Sequence, residues 1–164
     1  MPRDGMRPSS SRVASRRLLI DLILVFLDAL SRNMPRRRAF VDVLPPVVDA
    51  MAGTWDILAW RINVALHTPA VVGKVVGRVM SAAKQNGPLR DLVDKVVSGE
   101  PLEFADANAL VNVIEDATFD VLNDITDVRS AAVALRMSPK EAYAVALQPK
   151  LDAARNAIQT ALSN

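Results

Sequence analysis

Nine basic residues precede Ala39, and all nine are arginine. Arg3, Arg7, Arg12, Arg16 and Arg17 punctuate the first seventeen positions, and Arg36, Arg37 and Arg38 form a contiguous triplet. A guanidinium is a planar fork of donors that engages phosphate oxygens two at a time and keeps its charge at any physiological pH. These eight side chains are the candidate phosphate-binding set. No aromatic residue falls within either cluster, so base stacking and sequence readout are not expected, and the target is a nucleic-acid backbone. Two other readings compete for the same residues: a solubilising tail, and a polybasic contact with anionic lipid beside an apolar helix.

Other chemistry is sparse. The chain has no cysteine, which excludes disulfides, thiol nucleophiles and Cys-based zinc sites. His67 is its only histidine and sits beside a Thr-Pro boundary, where a surface cap role is expected rather than general-base chemistry. Neither a Walker-type phosphate loop nor G-x-G-x-x-G occurs. No enzyme, cofactor or small-molecule substrate is expected. Asp116, Asp120, Asp124 and Asp127 run down one stretch of predicted helix. Hard-cation sites gather ligands around a turn that usually includes glycine, and none follows Gly99, so a partner-facing acidic surface is expected and not a metal site. Gly73 and Gly77 fit the small-xxx-small pattern, which allows close helix approach in a core or a subunit interface.

The charges are segregated. Up to Arg90 there are fourteen Lys or Arg against six acids, about +8, and from Asp91 onward six against twelve, about −6. The near-neutral total of +2 hides this split. Opposite-sign halves favour head-to-tail contacts between copies.

The elements that position these groups read as helices. At 164 residues the chain suits one domain with a real core, built from aliphatic side chains because only seven residues are aromatic. Residues 1–12 are expected as a flexible Arg/Ser-rich arm, and 13–164 as a single all-helical domain. Val13–Arg32 is helical, with Arg17, Asp21, Asp28 and Arg32 on one narrow polar stripe. So apolar a helix must be covered by its own fold, a second subunit or lipid. Phe40–Leu44 is short. A second helix is predicted from Pro46 to about His67, with Trp60 in line with its polar positions. Thr68-Pro69 starts the next, where Val71, Val72, Val75, Val76, Val79 and Met80 face inward and Lys74, Arg78, Ser81 and Gln85 outward. Asn86-Gly87-Pro88 starts another, ending at Gly99. An unbroken helix is predicted over Ala105–Met137, with Ile114, Val121, Val128 and Leu135 as a heptad seam. Ser138-Pro139-Lys140-Glu141 opens the last helix, which Pro149 is expected to kink or split. The fold class is all-α, a bundle of about five to six helices.

A self-assembling structural protein that binds or packages nucleic acid accounts for these features together, as a homo-oligomer in a virion or another intracellular assembly. In layout it resembles the helical coat proteins of filamentous or rod-shaped viruses, a similarity of plan that carries no residue assignments. The alternative is a helical subunit of an organelle or membrane-associated complex. On that reading the Arg/Ser-rich start is a targeting segment, and a membrane surface is the second-choice partner.

Overall fold

The stripe Leu19, Leu22, Ile23, Phe26, Leu27 and Leu30 advances by alternate steps of three and one, the spacing that keeps side chains on one side of an α-helix. All six are buried in the computed structural model of the chain. It describes residues 2–31, 52–85 and 87–163, with the side chains of 2–15, Ala52 and Pro88 left aside. Among the described residues there are seven helices and no strand: α1 (Pro2–Ser31), α2 (Ala52–Leu66), α3 (Pro69–Gln85), α4 (Gly87–Ser98), α5 (Phe104–Asp124), α6 (Thr126–Val133) and α7 (Pro139–Ser163). The described part of the chain is all-helical.

The buried stripe of α1 packs chiefly against α7, and also against α3, α4 and α2. Its cover comes from its own fold. Arg17, Asp21 and Asp28 lie on the exposed side, as the polar stripe predicts; Arg32 lies outside the described residues. No described helix is long and apolar enough to cross a membrane. Helical backbone extends back to Pro2, through the residues expected as a flexible arm. Lengthening a formed helix is far easier than nucleating one, and proline suits a first position.

α5 lies against both α3 and α7. It buries Leu110, Val111, Ile114, Phe119, Val121 and Leu122, and also Thr118, whose hydroxyl donates to the Ile114 carbonyl at 2.7 Å. Tyr143 of α7 is fully buried; its ring meets Phe119 at 6.1 Å, and its hydroxyl donates to Asn123 Oδ1 at 3.3 Å. A second α5–α7 link joins Arg155 to Glu115 at 2.8 Å. Burial raises the Glu115 pKa more than Arg155 lowers it.

The long helix expected from Ala105 to Met137 is broken, which is why the described residues alone hold seven helices where five to six were predicted. Ile125 is extended (φ −89°, ψ 113°) and separates α5 from α6, which packs on α2. The cause is local: Asn123, Asp124, Ile125, Thr126 and Asp127 are all weaker helix formers than Ala or Leu, and an aspartate in a first turn favours a new start. The heptad positions are nonetheless buried on both sides of the break, including Ile114, Val121, Val128 and Leu135. Conversely, Pro149 does not split α7, which runs unbroken for 25 residues. Pro149 is exposed, and buried Ala146, Leu147, Ala154 and Ile158 anchor the helix on either side of it. The Thr68-Pro69 boundary lies where predicted, but the Thr68 hydroxyl donates back to the Val64 carbonyl of α2 at 3.0 Å.

α2 buries Leu58, Ile62, Ala65 and Leu66 and turns Ile57, Trp60 and Val64 outward, Trp60 being 65 % exposed. Truncating a fully buried phenylalanine removes both transfer energy and packing. Phe26→Ala is therefore expected to cost about 3–5 kcal/mol in chemical denaturation. Trp60→Ala is expected to stay within about 0.5 kcal/mol of the parent, because an exposed ring loses little on truncation.

Candidate functional site

The predicted phosphate-binding arginines fall into two groups. Arg16 and Arg17 are exposed on α1. Arg3, Arg7 and Arg12 belong to the same helical backbone, with side chains outside the described set. Arg36, Arg37 and Arg38 lie outside the described residues, as does Phe40–Leu44.

The acidic stripe is drawn partly into the molecule's own charge network. Arg78 of α3 pairs with Asp124 and approaches Asp120 at 3.8 Å. Lys140 of α7 reaches the other Asp120 oxygen at 2.5 Å. This hydrogen bond and the Asp120 charge raise the Lys140 pKa, with desolvation and then Arg78 opposing. Arg61 of α2 donates to the Asp127 carbonyl at 2.7 Å. The basic first half and the acidic second half thus meet within one chain. Asp116, Asp124 and Asp127 remain exposed. Among the described residues no cluster of three acidic, His or Cys side chains could hold a metal ion.

Gly73 and Gly77 sit on the exposed face of α3, and a Cβ added at either would meet nothing within 4 Å. Among the described residues no helix approaches them closely. His67 is exposed, and its Nδ1 lies 2.7 Å from the Asn63 carbonyl at the end of α2. That is cap geometry.

Two surface features were not singled out from sequence. One is the outward apolar line of Ile57, Trp60 and Val64, whose only signal was that Trp60 falls in line with polar positions. The other is the start of α5, which begins at Phe104 with Glu103 as N-cap. Asp106 Oδ2 accepts from the Glu103 N–H at 3.0 Å and faces Lys95 at 3.4 Å. The spacing Glu103–Asp106 is a carboxylate variant of the capping box and could have been read from sequence.

Comparison with known protein families, with curated proteins and with solved structures finds no match to this chain.

The Asp106 pKa is lowered, first by the Glu103 N–H and then by Lys95, against an opposing effect of burial. Its ionised form is thus favoured in the folded state. That stability is present above the ordinary value of 3.8 and is lost as pH falls through the lower folded value. Asp106→Asn should be less stable than the parent at neutral pH, and the difference should shrink below pH 3.8 in pH-stepped denaturation. For the other pair, Asp120→Asn is expected to bring the Lys140 pKa back toward the ordinary lysine value, read by NMR titration of the side-chain signals.

Proposed function

We infer that this chain is a non-enzymatic, self-assembling structural protein that binds or packages nucleic acid through its Arg-rich N-terminal region. The observation that carries this reading is the exclusive use of arginine, nine times before Ala39, where lysine would solubilise equally well. Exposed Arg16 and Arg17 extend the basic sequence onto the body of the protein. The outward line of Ile57, Trp60 and Val64 and the open glycines of α3 support self-assembly, because both leave apolar or close-approach helix faces uncovered by the fold. The partner is the phosphate backbone, without sequence preference, and the setting is a virion or a comparable intracellular assembly.

Anisotropy titration of a labelled single-stranded oligonucleotide against salt tests this. Engagement of six phosphates predicts a slope of log K against log salt of about −4, beginning from measurable binding near 50 mM. Replacing Arg36, Arg37 and Arg38 together by Ala should flatten that slope by about 2 with helical circular dichroism unchanged. Absence of binding at low salt would sink the reading. Collapse of the helical signal in the triple variant would make those residues structural instead.

A further inference from the structure

α4 and α7 end at the same place, beside the start of α5, and between them lies an open groove of about 730 Å³. Leu18, Val96, Leu102, Phe104 and Leu162 give it an apolar lining, and Phe104 is 70 % exposed. Among the described residues its charged lining is Glu100 and Glu103, with no Lys, Arg or His. Two helix C-termini direct carbonyl ends toward this region, and a helix C-terminus carries about half a negative charge. The one helix N-terminus nearby, that of α5, has Glu103 and Asp106 beside it. Lys95, on the last turn of α4, is held by Asp106. The groove is thus an apolar trough in a negative field, within the size range of pockets that take side chains or small ligands.

What fits such a trough is a cation with an apolar stem. Arginine does this by laying its methylenes on apolar surface while the guanidinium reaches a carboxylate. The chain carries such a segment: residues 1–17 hold five arginines, Met6 and Val13, against the single acid Asp4. In its own copy Arg16 and Arg17 adjoin the groove, while the distal arginines stand off along α1. Leu18 lines the groove, and α1 runs as helix from Pro2, so Arg3 stands about 22 Å from Leu18 along the axis at 1.5 Å per residue.

We propose that the groove bounded by α4, α5 and the end of α7 receives the arginine-rich N-terminal segment of a second copy of this chain. The contact is head-to-tail: each copy offers a segment and a groove, and repetition gives a ring or an open filament. It rests on the self-assembly part of the function inferred above and not on the nucleic-acid part. Arg36, Arg37 and Arg38 are not part of the seated segment.

The test is a charge exchange in the nuclease-treated, full-length protein, so that failure to bind nucleic acid has no influence on it. One variant carries Arg3→Glu, Arg7→Glu and Arg12→Glu. The other carries Glu100→Lys and Gln159→Lys, which line the groove and spare Glu103 of the capping box. Light scattering of the parent should give a mass above that of one 17.8 kDa chain near 50 mM salt and a fall toward it near 500 mM, as screening shortens. Each variant alone should self-associate about tenfold more weakly or worse, while their equimolar mixture should form a heterodimer. In that mixture the unaltered segment of one variant meets the unaltered groove of the other. A monomeric parent, a variant that assembles like the parent, or a mixture that does not associate would overturn the proposal; a segment seated in its own chain's groove would give the first result. Should the groove variant lose its helical circular dichroism, Phe104→Ser at an exposed position replaces it.

Discussion

Burial of one face of α1 is the constraint on which the rest of the fold depends. Leu19, Leu22, Ile23, Phe26, Leu27 and Leu30 are the buried face of α1, the helix that α7, α3, α4, α2 and, to a lesser extent, α5 all contact. Apolar burial is non-directional, and a helix offers only one continuous side to each neighbour. The opposite side of α1, with Arg17, Asp21 and Asp28, is thereby committed to solvent. Leu18, which follows the basic sequence, lies beside the ends of α4 and α7.

Electrostatics then works at two levels. Inside one chain, Arg78 and Lys140 hold Asp120 and Asp124, tying α3, α5 and α7 together along a partly exposed seam. Pairs this exposed contribute little stability each, but they fix which acids stay available at the surface. The segregated charges are consequently less polar in the folded molecule than along the sequence. Two local concentrations stand out beside this network: the arginine-rich N-terminal segment and the groove lined by Glu100 and Glu103.

Much of the architecture was legible in the residue pattern. The starts at Pro69, Gly87 and Pro139, and the glycine stop at Gly99 with its φ of 76°, follow from residues whose backbone preferences are strong and local. In α3 the predicted inward set is buried at Val75 and Val79 and half-buried at Val71, Val72, Val76 and Met80. Ile114, Val121, Val128 and Leu135 are buried, because burial periodicity survives the break at Ile125. The break at Ile125 was missed because seam spacing outweighed a run of weak helix formers that were already visible. The intact α7 at Pro149 went the other way: its cost was visible, and the packing that offsets it was not.

The sequence by itself determined that the protein is all-helical, where most helices begin, that its core is aliphatic, and that its charges are divided between its halves. These are properties of single residues and short spacings, which the backbone reads locally. Only the tertiary structure decided that Arg78 and Lys140 would meet the aspartate stripe, and that Gly73 and Gly77 would face open space. It alone decided that the ends of α4 and α7 would converge beside Glu100 and Glu103. Each of those depends on which helices pack together, and pairings of residues far apart in sequence are set by the whole buried surface.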